Sequence, residues 1–195
     1  MKKSILFLLL VSFFSFNVVA QNKVLFIDAG HGGKDAGPIS ETGISESFLN
    51  QLFADEMEIL AKEQGFKVIR TTPNSNEYVS FDDRKKIINQ SISSTNIKEY
   101  LISIHTNFSK DISKSGTEIY ITKDDELSKG SKELAEKLRN ALNATSVTQK
   151  SLQILKVPIP AVLIETGYMS NENDLNNLQN QAYRKEMILK ILSQL

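Results

Sequence analysis

Short apolar runs recur along this chain, each stopped by a polar or glycine-rich turn. The first after the N-terminal segment is Val24-Leu25-Phe26-Ile27, followed by Asp28 and the turn Gly30-His31-Gly32-Gly33. A continuous apolar run of this length, bounded by turn signals, predicts a strand buried on both faces. After a loop over 34–43 the period changes. Phe48, Leu49, Leu52, Phe53, Met57, Leu60 and Ala61 recur every three or four residues, which predicts one apolar helical face. Ser45 is placed to cap that helix, Glu46 falls in its first turn, and Gly65 stops it. Residues 66–71 predict a second strand, and the strand–helix–strand order implies two parallel strands. Further on, 81–92 predicts a helix carrying Arg84, and 100–107 a strand. Residues 116–122 predict a strand whose alternation suggests one exposed face. Then come an amphipathic helix over 127–142, a short extended segment over 152–155, and a buried strand over 161–164 that ends at Glu165. Residues 173–195 predict one or two covering helices. Alternating strands and helices predict a single α/β domain, a mostly parallel twisted sheet with helices on both faces.

The first twenty residues stand outside that pattern. Met1-Lys2-Lys3 is basic, 4–16 is mostly apolar, and Val18-Val19-Ala20 offers small residues for cleavage. This is the layout of a secretory signal peptide. The apolar run is interrupted by Ser12, Ser15 and Asn17 and is short for a bilayer span of about 20 residues. Cleavage before Gln21 is therefore expected. It would leave 21–195 as the mature domain, in the periplasm or cell envelope, with no stable membrane anchor. The chain has 23 basic and 23 acidic residues, so loss of Lys2 and Lys3 leaves 21 against 23 and a net charge of about −2. No basic stripe marks a nucleic-acid partner. With no cysteine, the fold has neither a disulfide nor a thiolate nucleophile or metal ligand.

The candidate chemistry starts from the two histidines, His31 and His105, the only ones in the chain. Each follows an apolar strand and opens a polar turn, where open α/β sheets place their sites. Neutral imidazole is the commonest metal ligand. If the strands before His31, His105 and Glu165 are parallel neighbours, their side chains converge at the carboxyl edge of the sheet. Glu46, at the start of the helix after the first strand, lies at that edge too. Taken locally, Glu46 also reads as a surface acid complementing the helix dipole. Two imidazoles and one carboxylate form a common catalytic zinc set, leaving a second carboxylate as a proton carrier for metal-assisted amide hydrolysis. There is no HExxH motif, which excludes that class of metalloprotease.

Four ordered motifs then narrow the reading: Ile27-Asp28-Ala29-Gly30-His31-Gly32-Gly33-Lys34-Asp35; Glu46 with Leu49-Asn50; Ser103-Ile104-His105-Thr106-Asn107 with Gly116-Thr117-Glu118; and Pro160 to Asn171 through Glu165-Thr166-Gly167. In these the chain resembles the zinc-dependent N-acetylmuramoyl-L-alanine amidases of the amidase-3 family, which cut peptidoglycan. The resemblance runs from about Val24 to the C-terminus. It implies one zinc ion held by His31, Glu46 and His105, with Glu165 as the catalytic carboxylate. Asn107 and Arg84 are implied in substrate contact or in support of the site. The bond cut would join the lactyl group of N-acetylmuramic acid to L-alanine of the stem peptide. The chain has Ala29 where the family usually has proline, and it departs from the family pattern at Thr71-Thr72, where Thr-Arg is common, and at Asn50-Gln51-Leu52, which is one residue looser than usual; neither of these two departures is expected to touch an implied ligand. A zinc peptidase acting on the stem peptide and a non-catalytic wall-binding module are the competing functions. Some members of the family carry an inserted helix over the zinc site. Here the interval between 122 and 161 is largely used by the amphipathic helix and its connections, so an open site with no obligatory activator is expected.

Overall fold

The computed structural model describes residues 23–74, 76–93 and 97–195. The expected signal peptide lies outside the described residues. Among those described, no helix is long and apolar enough to cross a membrane.

Six strands form one sheet in the order β2-β1-β3-β6-β4-β5. They are β1 (Lys23–Ala29), β2 (Lys67–Arg70), β3 (Lys98–Asn107), β4 (Glu118–Thr122), β5 (Ser146–Lys150) and β6 (Ala161–Tyr168). All neighbouring pairs are parallel except β4 with β6. The helices are α1 (Glu46–Glu63), α2 (Phe81–Ser91), α3 (Asp125–Leu142), α4 (Glu172–Gln179) and α5 (Gln181–Leu192). Leu25, Ile27, Ile102, Ile104, Ile119 and Val162 face one core beneath α1, α3, α4 and α5. Val24, Phe26, Leu101, Tyr120 and Leu163 face the other, covered by α2 and the segment around 152–159. The expected mostly parallel sheet with helices on both faces is borne out. The apolar runs of β1, β3 and β6 follow from it, since strands covered on both sides keep no polar face.

Five local features differ from expectation. Phe48 was expected on the buried face of α1, but it is 52% exposed. The buried stripe is Leu49, Phe53, Met57 and Ala61, a strict four-residue row that leaves position 48 about 100° away. Residues 152–155 are not extended: Gln153–Leu155 forms a 3-10 turn. A turn lets the consecutive Ile154 and Leu155 both reach the core, whereas a strand would send them to opposite faces. β4 was expected to expose one face, yet Ile119 and Ile121 enter one core and Tyr120 the other. β5 was not anticipated at all. It is an edge strand of mostly polar, exposed residues, Ser-Val-Thr-Gln-Lys, paired to β4 alone, so it carries almost no hydrophobic signal. The last buried strand also runs past Glu165 to Tyr168, which places Glu165 within it.

Candidate metal centre

β1, β3 and β6 are parallel neighbours, and their carboxyl ends carry the site. His31 lies in the turn just past β1 with φ 63°, in the left-handed region. For a non-glycine residue that conformation costs roughly 1–2 kcal/mol, so the surroundings must hold it. Gly32 and Asp35 form an isolated bridge across the turn. The buried Arg84 of α2 donates from Nη2 to the His31 carbonyl at 2.8 Å and from Nη1 to the Ala29 carbonyl at 2.8 Å. Its Nη1 also pairs with Asp28 Oδ1 at 3.1 Å. Asp28 is 1% exposed and accepts further from Thr71 at 2.5 Å and Ser103 at 2.7 Å. Arg84 therefore supports the turn from beneath, through its backbone. Asp28 is the buried anion that makes this possible, and sequence reasoning had noted it only as the end of a strand.

Glu46 enters from α1. Ser45 caps that helix by accepting from the Phe48 amide, which fixes Glu46 in the first turn, pointing back over the sheet. It is 4% exposed. Its Oε2 lies 3.0 Å from His31 Nε2, and its Oε1 lies 2.8 Å from His105 Nδ1. Oε1 also accepts from the Thr106 amide and from Asn50 Nδ2, each at 3.2 Å. Asn50, expected to lie clear of the implied ligands, instead touches Glu46, because one helical turn separates the two on α1; it is fully buried, donates to the Gly30 carbonyl at 3.2 Å, and accepts from Thr106 at 3.0 Å. This closes α1, the β1 turn and β3 around one carboxylate. Two glycines are sterically required here. A side chain at Gly30 would run into the His105 ring, and one at Gly37, which has φ 66°, would meet Glu46 and His31.

His31, Glu46 and His105 each offer one ligand atom, and these atoms lie within 4.8 Å of one another. Two imidazole nitrogens and a carboxylate oxygen suit zinc. The other ring nitrogen of His31, Nδ1, lies 2.9 Å from Asp35 Oδ2. A carboxylate behind a ligating imidazole fixes its tautomer and raises its basicity. Asp35 is a functional candidate that sequence reasoning had left inside a motif; its spacing four residues after a histidine in a glycine-rich turn is the signal that points to it. The hydrogen bond to Glu46, helped by Asp35 and opposed by burial, lifts the His31 pKa to about 9. Burial works against ionisation of Glu46, but the bonds to His105 and His31 outweigh it and hold the carboxyl well below its usual range.

Glu165 stands directly across from His105 in the β3–β6 register. Its Oε2 is buried with no hydrogen-bond partner. Burial pushes its pKa up to about 7, with Glu46 and Glu118 adding to the rise and His105 and Lys150 opposing it. A carboxyl poised near neutrality suits proton transfer. On its other side, Glu165 is in register with Glu118 at the start of β4. The β3–β6 register shifts between His105 and Asn107, so that Asn107 pairs with Tyr168. This bulge turns Tyr168 to the Glu165 side, where its hydroxyl donates to Glu118 Oε1 at 2.8 Å. Glu118 Oε2 accepts from Tyr120 and, at 3.4 Å, from Asn107 Nδ2. Asn107 is thus tied to Glu118 and, through Oδ1, to the Phe108 amide. A cleft of about 550 Å³ opens past it, lined among others by Ile39, Thr42, Phe108, Ile112 and Met169. A smaller hollow of about 50 Å³ lies beside His31, Tyr78, Phe81 and His105.

The family model for N-acetylmuramoyl-L-alanine amidase matches residues 25–195. The chain belongs to the Amidase_3 family. Among similar proteins is a probable N-acetylmuramoyl-L-alanine amidase, AmiB, of Haemophilus influenzae, 29% identical over 98% of this chain and 55% of that protein. A probable cell wall amidase, LytH, of Staphylococcus epidermidis is 31% identical over 85% of this chain and 54% of its own length. The chain spans about half the length of these curated relatives. Among similar solved structures, the N-acetylmuramoyl-L-alanine amidase of Clostridium difficile 630 superposes with a TM-score of 0.79 at 26% identity, over 90% of this chain and 95% of that one. The catalytic domain of CwlV from Bacillus (Paenibacillus) polymyxa gives a TM-score of 0.77 at 24% identity, covering 88% and 95%, and supports the same fold.

Proposed function

We propose that this chain is a zinc-dependent N-acetylmuramoyl-L-alanine amidase. It hydrolyses the amide between the lactyl carboxyl of N-acetylmuramic acid and the amine of L-alanine in the stem peptide. The observation that carries the reading is the His31–Glu46–His105 cluster beside a buried carboxyl, Glu165, that has an unpartnered oxygen. His31, Glu46 and His105 would hold one zinc ion, which when bound polarises the amide carbonyl and acidifies water. The chain's own residues do the rest. Arg84 and Asp35 hold His31 in place, and Asn50 holds Glu46. Glu165 takes a proton from the attacking water and passes it to the leaving nitrogen. Glu118, saturated by Tyr120, Tyr168 and Asn107, leaves Glu165 as the acid with an uncommitted oxygen.

The reaction takes place outside the cytoplasm, after removal of the first twenty residues. α3 supports an open site: Leu134, Ala135 and Leu138 are spent on the core beneath the sheet, and the rest of the interval before β6 forms β5 and the 3-10 turn. The deciding experiment is mass spectrometry of muropeptides after digestion by the purified, zinc-loaded protein with no other protein added. Stem peptides beginning with a free L-alanine amine are expected, together with peptide-free muramic acid. New termini inside the stem peptide would make the protein a peptidase, and no cleavage at all would make it a binding module or reveal a required activator.

A further inference from the structure

The side chains of the site lie in a row across the sheet. His105 is on β3, Glu165 opposite it on β6, and Glu118 opposite that on β4. Tyr120 is two residues along β4, on the same face as Glu118. Lys150, the last residue of β5, is in register with Thr122 and so shares that face too. Its Nζ reaches back to 3.6 Å from the centre of the Tyr120 ring, close enough for its charge to act on Glu165. Lys150 is exposed, and among the described residues no carboxylate pairs with it. The Glu118 oxygens accept from two tyrosine hydroxyls and an amide, and among the described residues Glu118 forms no ion pair with Lys150. Burial, and then Glu118, push the Tyr120 hydroxyl pKa upward. The ring therefore stays neutral and presents its face to the ammonium, a favourable cation–π arrangement.

This row gives the substrate a direction. The leaving nitrogen must lie next to the proton carrier, Glu165, and Glu118, Tyr120 and Lys150 follow on the side of Glu165 away from His105, so a leaving peptide that turns away from the histidines passes over β4 toward β5. β5 lies two strand spacings from β6, about 10 Å, and Lys150 lies four residues along β5 from Ser146, the residue level with Glu118, a further ~13 Å. Lys150 shortens it by folding back over Tyr120. Resting on the amidase reading, we propose that Lys150, held by Tyr120, is a specificity residue that pairs with a free carboxylate near the start of the leaving peptide.

The test compares two synthetic substrates in which the γ-carboxyl is blocked as the methylamide, N-acetylmuramoyl-L-alanyl-D-glutamate γ-methylamide with a free α-carboxylate and its counterpart with that carboxylate amidated. Release of the alanine amine is followed with the zinc-loaded chain. The acid is expected to be preferred by about 5-fold in kcat/KM, the scale of an exposed ion pair, and mostly through KM. K150M should bring the ratio close to one, K150R should keep it, and K150E should push it below one. Equal rates on both substrates in the parent protein, or a K150M variant that lowers both in proportion, would overturn the assignment to Lys150 while leaving the amidase reading standing. Release of the alanine amine from neither substrate would overturn both.

Discussion

Arg84→Met tests how the site is held. The guanidinium is 3% exposed and faces Asp28, itself 1% exposed. Removing it leaves Asp28 ionised in the interior with only the Thr71 and Ser103 hydroxyls as partners. Stranding one member of a buried ion pair costs about 3–5 kcal/mol. The Val79, Ala29 and His31 carbonyls lose a donor as well, which places the effect toward the upper end. For a domain of this size each kcal/mol lowers Tm by about 2–4 °C, so a fall of roughly 6–20 °C is expected in calorimetry. The His31 carbonyl is one of the released groups, and the residue sits in a conformation it would leave without restraint. Zinc affinity should therefore fall too, by about 10–100-fold as for other supporting contacts behind metal ligands, measured by competition with a chromogenic chelator. Asp28→Asn combined with Arg84→Met should recover part of the lost stability, because the stranded charge is gone, but not the zinc affinity. A single variant that melts within 2 °C of the parent and binds zinc within twofold would refute the argument.

Replacing His31, Glu46 or His105 by Ala should lower bound zinc, read by atomic absorption, and activity together; a zinc-replete, active Glu46→Ala would reduce Glu46 to a helix-dipole acid. Glu165→Gln should keep the fold and the metal but lose about 10²–10⁴ of the rate, seen as slower release of the alanine amine at saturating substrate. After chelation of metal, His31 should stabilise the fold fully below its ordinary pKa of 6.5 and lose that contribution as pH rises through about 9. Glu46 should contribute above its ordinary value of 4.5 and lose its contribution as pH falls, so the cluster supports the chelated fold best between about 4.5 and 6.5. Thermal melts across pH check this, and His31→Asn should flatten the alkaline limb.

Much of this arrangement is legible in the chain because buried parallel strands keep no polar face, so β1, β3 and β6 announce themselves as apolar runs. The histidines stand out against a chain with only two. Glu165 stands out as an acid directly after an apolar run, and Glu46 as an acid just inside a capped helix. The supporting residues are harder to see. Asp28 and Arg84 are 56 positions apart in the chain, and neither sits in a local pattern that distinguishes a buried ion pair from a surface one. Asp35 needs the turn to curl before its carboxylate comes behind His31. Phe48 misled because helical periodicity alone does not say where an apolar stripe ends.

The Glu118 side of the site depends on something that no local pattern encodes, the direction of one strand. β4 is antiparallel to β6, so its first residue, not its last, lies at the carboxyl edge. With β4 parallel, Thr122 would stand nearest the site and Glu118 would sit at the opposite edge, far from Glu165. β5 then follows β4 in parallel, which places Lys150 at the far end of the sheet from the histidines' turns. Only the reach of a lysine side chain, guided by the Tyr120 ring, returns its charge toward Glu165. The polar edge strand that hydrophobic patterning could not see is thus the element that carries the specificity contact proposed here. Polar, charged residues on edge strands discourage pairing with other chains, which frees β5 to hold a charged residue beside the proposed substrate path without a cost to the core.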